Sequence, residues 1–117
     1  MSRSILLQLA RDSIEEVLQA QNTIDKKALL NEHPLLNENI QADISIYIDD
    51  KLKSSYSSTK DYSLLNNIII GAKKAAFEDK TTSPITTAEY LSCEIELSLQ
   101  TIDGIIKQKD EPILKES

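Results

Sequence analysis

Residues 64–99 read LLNNIIIGAKKAAFEDKTTSPITTAEYLSCEIELSL, and the hydrophobic period changes along this stretch. Its first half repeats apolar residues every three or four positions, which predicts a helix with one buried face over Asp61–Glu78. Its last part alternates apolar and polar residues, which predicts a half-buried strand over Ser92–Gln100. The two elements therefore indicate a sheet with a helix packed against it.

The connection between these elements carries its own signal. Thr86 followed three residues later by Glu89 has the form of a capping box, so we expect a short helical turn to start at Ile85 or Thr86. In the strand that follows, Cys93 is in phase with the apolar positions, and Glu94 and Glu96 occupy the opposite face.

Upstream, the same two periods recur. A helix with one buried stripe is predicted over Ser4–Gln21, and a short helix from about Asp25 to the break at Pro34. Alternation over Ala42–Asp49 predicts a strand, and residues from Leu52 to Ser57 would return as its hairpin partner. The stripe of the first helix is assigned to Leu6, Leu7, Ala10, Ile14, Val17 and Leu18, and its solvent-exposed side to Arg11, Asp12, Glu15, Glu16 and Gln19.

The order of elements predicts an α+β fold, an antiparallel sheet with helices packed on one face. A chain of 117 residues is expected to form one such domain, over residues 1–100. The pattern fades after Gln100: Ile105 and Ile106 are compatible with a short strand or helical turn, and residues 101–117 are expected to form a weakly structured C-terminal extension.

Composition limits the classes of function. The formal net charge is −6 and the thirteen basic residues are scattered, which argues against nucleic-acid binding. No apolar stretch reaches the ~18 residues of a membrane span, and the apolar patch near the amino terminus is too short for a signal peptide. We therefore expect a cytoplasmic protein that binds neither nucleic acid nor membrane.

The side chains with chemical potential have plain structural interpretations. Cys93, the single cysteine, is expected to be buried and unreactive, and His33 has no second histidine or cysteine pair to form a metal site. Glu94 and Glu96, about 7 Å apart on one strand face, resemble a carboxylate pair but lack a perturbing neighbour. No metal ligand or cofactor site is predicted.

Four segments resemble the AMMECR-type domain family in order and spacing: LLQLARDSIEEVLQ, the strand before the tight turn, LLNNIIIGAKKAAFED and SPITTAEYLSCEIELSL. The resemblance covers Ile5 to Leu99 and implies the family's α+β fold. Family domains continue further, so it implies a shortened, diverged relative. It also suggests Memo-type or radical-enzyme proteins as partners.

The resemblance breaks where the family carries Leu-Arg-Gly-Cys-Ile-Gly, because this chain reads LKSSYS over residues 52–57. Ser55 occupies the place of the family's thiol, and a serine needs an adjacent base to act as a nucleophile. We therefore expect a non-catalytic interaction module that forms a homodimer or joins a protein partner. The alternative is an enzyme or small-molecule-binding domain with a pocket between the hairpin and the second long helix, lined by Lys53, Ser55 and Tyr56.

Overall fold

A computed structural model describes residues 4–114. The helices are α1 (Ile5–Gln19), α2 (Lys26–Glu32), α3 (Leu64–Phe77) and α4 (Thr87–Ser92), with a 3-10 turn over Pro34–Asn37. The strands are β1 (Gln41–Ile48), β2 (Lys51–Ser57), β3 (Glu94–Thr101) and β4 (Gly104–Lys109). The strands form one antiparallel sheet in the order β2-β1-β3-β4, and the predicted α+β class is confirmed.

The two central strands place their apolar residues on one face of the sheet. Ile44 lies opposite Leu97, and Ile46 lies opposite Ile95, all of them fully buried. Glu94 and Glu96 lie on the other face and are partly exposed, as the alternation predicts. The register of β3 is therefore confirmed, because a shift by one residue would exchange the two faces.

Helix α3 approaches the buried face of the sheet closely because a glycine faces the strands. A Cβ added to Gly71 would lie 3.1 Å from Cδ1 of Ile44 and 3.4 Å from Cδ2 of Tyr56. The hydroxyl of Ser63 accepts the N–H of Asn66, so α3 begins at Leu64 rather than at the predicted Asp61. The predicted capping box of Thr86 and Glu89 is present at the start of α4.

The burial pattern of α1 differs from the sequence prediction at three positions. Arg11 and Glu16, which were assigned to the exposed side, are 1% and 8% exposed, whereas Val17 is 44% exposed. Both charged side chains are buried because each is paired with an opposite charge from another element. A period of 3.6 identifies the apolar stripe but cannot show which neighbouring charged residues find partners.

Residues that were expected to belong to a weakly structured extension form β4. This strand pairs with β3, with Ile106 opposite Leu99 and Lys109 opposite Glu96, and Asp110 beyond it is 6% exposed. An edge strand is held by backbone hydrogen bonds on one side and needs no strict alternation of side chains, so its pattern in the sequence is weak. Residues 115–117 of the extension lie outside the described residues.

Candidate functional site

A cavity of about 310 Å³ lies between β2, the β2–α3 connection and α3. Its lining residues are Tyr56, Ser58, Thr59, Tyr62, Asn67, Ile70 and Lys74. Asn67, Ile70 and Lys74 share one helix face because they are three and four positions apart on α3. Tyr56 points to the same side of the sheet as the buried Ile44, which lies opposite it on β1.

Asn67 determines the shape of the connection that forms one wall. Its Nδ2 donates to the carbonyl oxygens of Ile40 at 2.7 Å, Thr59 at 2.9 Å and Tyr62 at 3.3 Å. Three surrounding carbonyl oxygens require the NH2 group at that position, so the side-chain oxygen Oδ1 must point the other way. Within residues 4–114, this oxygen accepts no hydrogen bond.

The cavity is cationic although the chain as a whole is acidic. Among the described residues that line it, Lys74 is the only charged one, and its Nζ lies 5.5 Å from the centroid of the Tyr56 ring. The hydroxyl of Ser58 is already bonded to the backbone of Ala42, and that of Thr59 donates to the Asp61 carboxylate at 3.2 Å. The groups left for a ligand are therefore an ammonium, an amide oxygen, and the rings and hydroxyl groups of Tyr56 and Tyr62.

Of the three pocket residues predicted from sequence, Tyr56 lines this cavity and the other two lie elsewhere. Lys53 Nζ donates to Thr82 Oγ1 at 3.2 Å and to the Ser83 carbonyl at 3.1 Å, and its side chain is 8% exposed. The Ser55 backbone N–H donates to Asp79 at 3.2 Å. Lys53 and Ser55 therefore join β2 to the loop that follows α3.

Two geometrical features explain why Lys53 and Ser55 do not line the cavity with Tyr56. Successive side chains of a strand point to opposite faces, so Ser55 and Tyr56 cannot line the same cavity. The pairing of β2 also shifts register, from Ser54 opposite Ile46 to Leu52 opposite Tyr47, which leaves Lys53 as an extra residue in a bulge. Neither feature is visible in the residue types alone.

The loop after α3 covers the edge of β2 through Asp79. The Asp79 carboxylate accepts the Thr81 hydroxyl at 2.6 Å, the Thr81 N–H at 2.9 Å and the Ser55 N–H. These hydrogen bonds, led by that of the Thr81 hydroxyl, lower the pKa of Asp79 below its ordinary value. The carboxylate thus satisfies a backbone donor that a free strand edge would expose.

Ser54 has an unusual environment on β2. It is 2% exposed, and its hydroxyl oxygen is buried without a hydrogen-bond partner among the described residues. In the resemblance drawn from the sequence, Ser54 takes the place of the glycine of the Leu-Arg-Gly-Cys-Ile-Gly motif, which carries no polar side chain.

Cys93 lies in a second, closed cluster at the start of β3. Its thiol is fully buried, and the Arg11 guanidinium lies 3.4 Å from Sγ. Burial raises the pKa of the Cys93 thiol, which outweighs the opposing effect of the Arg11 charge. The predicted burial of Cys93 is confirmed. Its low reactivity remains a prediction.

The remaining candidates are not assembled into a site. Glu94 Oε1 lies 4.0 Å from Lys109 Nζ, whose ammonium also lies 4.4 Å from the Tyr47 ring centroid. Within residues 4–114, His33 and the acidic side chains form no group of three that could hold a metal ion. In the same part of the chain, no helix has the length and apolarity needed to cross a membrane.

The sequence signal for the cavity was on α3 rather than on β2. Asn67 and Lys74 are polar residues seven positions apart on α3, LLNNIIIGAKKAAF, and Asn66 and Lys73 form a second polar pair with the same spacing. Residues seven positions apart lie on the same side of a helix, two turns from each other, so each pair predicts a polar patch on its side of α3. The contribution of Tyr62 depends on the course of the connection, which the sequence pattern does not determine.

Comparison with known proteins identifies the family. The AMMECR1 family model matches residues 7–111, so the chain belongs to the AMMECR1 family. The fold is similar to that of the uncharacterized protein PH0010 from Pyrococcus horikoshii, with a TM-score of 0.71 and 24% sequence identity. That match covers 80% of this chain and 48% of the other, so the chain spans about half the length of that protein. No curated protein matches the chain.

Proposed function

We propose that this chain is a cytoplasmic interaction module that assembles with a second copy of itself through the outer edge of β4. The proposal rests on the difference between the two edges of the sheet. A strand edge presents unpaired N–H and C=O groups, and an edge that no other part of the chain covers is a template for another strand.

The outer edge of β4 carries the exposed apolar side chains of Ile105 and Ile106 together with the exposed lysines Lys107 and Lys109. Ile105 and Ile106 are 62% and 49% exposed, and Ile102 in the preceding turn is fully exposed. Ile113 and Leu114, which follow the strand, are 40% and 60% exposed. No strand within residues 4–114 pairs with this edge. Isolated exposed apolar residues are ordinary, but Ile105 and Ile106 are neighbours on a strand whose outer edge has no partner within residues 4–114.

The opposite edge, on β2, is protected in the ways that natural sheets use. It contains a bulge, its Ser55 N–H is bound by Asp79, and Lys53 binds the loop that follows α3. Within residues 4–114, only the β4 side therefore combines an edge that no segment covers with exposed apolar side chains. This asymmetry is the observation that favours assembly through β4.

A second copy fits this edge because the sequence of β4 is self-complementary in one register. Antiparallel pairing about a two-fold axis can place Ile106 opposite Ile106 of the partner subunit. The same register places Ile105 opposite Lys107 of the partner subunit, so no two lysines face each other directly. The result would be one continuous sheet of eight strands with the helices of both copies on the same side.

Light scattering on the purified chain tests the proposal. A single chain has a mass of 13.1 kDa, and we expect twice that mass across a tenfold range of concentration. Ile106→Lys should return the single-chain mass, because it places two ammonium groups opposite each other at the centre of the interface.

Ile102→Lys is the matched control, since Ile102 is fully exposed and lies before the paired strand. It should leave the dimer intact. A single-chain mass for the unmodified protein, or an equal effect of the two substitutions, would contradict assembly through β4.

A further inference from the structure

We propose that the cavity between β2 and α3 binds a small aromatic carboxylate that also carries an N–H donor. This inference does not depend on the assembly through β4, because no residue of β4 lines the cavity. It rests on the volume of the cavity, its single cation and the unpaired oxygen of Asn67.

The walls suit a flat apolar body. A volume of about 310 Å³ is at the lower end of the range for small-molecule sites, which corresponds to a ligand of one or two fused rings. Tyr56 and Tyr62 supply aromatic surface and Ile70 supplies an aliphatic side. Tyr62 is 60% exposed, so its ring is available to cover a bound ligand.

The charge of the cavity selects an anion. Lys74 Nζ contacts the Tyr56 ring face but forms no ion pair within the described residues. A ligand carboxylate would give this ammonium the charge-assisted hydrogen bond that it lacks. One acidic group lies beside the cavity, because the Asp61 carboxylate accepts the hydroxyl of the lining residue Thr59. The net charge of −6 belongs to the chain as a whole. Its repulsion of an anion in the cavity is weak, because physiological salt screens exposed charges over about 8 Å.

The second recognition element is Oδ1 of Asn67. The three carbonyl oxygens bound by Nδ2 fix the amide orientation, so Oδ1 cannot rotate away to become a donor. Asn67 Oδ1 accepts no hydrogen bond from the described residues and is not a buried unpartnered atom, so it can accept a hydrogen bond from a ligand that supplies a donor. An aromatic ring N–H beside a carboxylate meets both requirements of the cavity.

Indole-3-acetate is a probe that has an aromatic ring, a ring N–H and a carboxylate. Three analogues separate the contributions of these groups to binding. Indole-3-acetamide lacks the charge, naphthalene-1-acetate lacks the N–H, and tryptamine reverses the charge. In a titration followed by amide chemical shifts, we expect indole-3-acetate to shift residues 56–62 and 67–74. Its affinity should exceed that of indole-3-acetamide by about tenfold and that of naphthalene-1-acetate by about threefold, with no binding of tryptamine.

Two variants connect the binding to the proposed cation. Lys74→Met keeps the length of the side chain and should weaken indole-3-acetate binding by about tenfold. Lys80→Met removes an exposed lysine from the loop after α3 and should leave binding unchanged. Thermal unfolding of both variants shows whether the fold is retained.

The proposal is overturned if indole-3-acetate causes no shifts at millimolar concentration. It is equally overturned if the shifts map to β4. It is also overturned if indole-3-acetamide binds as tightly as indole-3-acetate and the Lys74→Met variant binds indole-3-acetate as tightly as the unmodified chain does. If naphthalene-1-acetate binds as tightly as indole-3-acetate, Asn67 Oδ1 does not accept a hydrogen bond from the ligand.

Discussion

Arg11 and Asp110 are 99 positions apart in the chain and form a buried ion pair, with Nε of Arg11 2.7 Å from Oδ2 of Asp110. Both side chains are 1% exposed. The guanidinium also donates to the carbonyl oxygens of Tyr90 and Cys93, and Asp110 accepts the N–H of Ile95. The pair thereby joins α1, the start of β3 and the end of β4.

Loss of this pair should destabilise the fold strongly. Arg11→Met removes the buried guanidinium that pairs with the Asp110 carboxylate, so we expect the free energy of unfolding to fall by about 3–5 kcal/mol. Urea unfolding measures this change. Lys27→Met on α2 removes a lysine that is exposed and should change the free energy by less than about 0.5 kcal/mol. A similar small effect at both positions would show that the pair does not hold the C-terminal segment in place.

The buried Glu16 should make stability depend on pH. Its Oε1 lies 3.0 Å from Lys73 Nζ, and its Oε2 accepts the N–H groups of Thr23 at 2.7 Å and Ile24 at 2.9 Å. Burial by itself would raise the pKa of Glu16, but the hydrogen bonds from Ile24, Lys73 and Thr23 outweigh it, so the pKa lies below the ordinary 4.5.

A lowered folded-state pKa stabilises the fold above about pH 4.5, and this contribution is lost as the pH falls through the folded-state value. Glu16→Gln should therefore cost about 1–3 kcal/mol of unfolding free energy at pH 7, and its difference from the unmodified chain should shrink at pH 3. Denaturant unfolding at the two pH values measures the difference. A difference that stays constant between them would rule out a contribution from the charge.

The unpartnered hydroxyl of Ser54 predicts a stabilising substitution. Its Oγ is buried without a partner among the described residues, so Ser54→Ala removes a desolvated polar group at little loss of volume. We expect the free energy of unfolding to rise by about 1 kcal/mol. Ser55→Ala is the matched control on the next residue, which is exposed and should show almost no change. Destabilisation by Ser54→Ala would indicate that the hydroxyl is satisfied in solution.

The thiol of Cys93 should resist modification until the chain unfolds. It is fully buried, and its raised pKa keeps the thiol protonated near neutral pH. Reaction with a thiol reagent should be slow in buffer and fast in denaturant. Labelling of the folded protein at the rate of a small free thiol would show that this cluster opens readily.

The elements that were predicted correctly are those whose sequence patterns are local. The alternation around Ile95 and Leu97 defines β3 and its buried face, and the pair Thr86 and Glu89 defines the start of α4. Each pattern depends only on residues a few positions apart, where the period of the backbone determines which side chains share a face.

The residues that sequence reasoning misplaced depend on distant partners. Arg11 is buried because it pairs with Asp110, which is 99 positions away in the chain, and β4 forms because it pairs with the edge of β3. At the cavity, the bulge at Lys53 separates that lysine from Tyr56, and the course of the connection brings Tyr62 to Asn67. Contacts between residues that are far apart in the chain leave no short pattern in the sequence.

Disulfide cross-linking of the Ile106→Cys variant tests assembly through β4 most directly. In a Cys93→Ala background the introduced thiol is the only one in each chain. The proposed register places the two introduced thiols opposite each other, on residues separated by the ~5.5 Å typical of opposed positions in antiparallel strands. Oxidation should give a covalent dimer at this position. It should give none for Gln108→Cys, because the two copies of that position lie about 13 Å apart along the strands. Equal cross-linking at both positions, or none at either, would contradict the proposed pairing of β4.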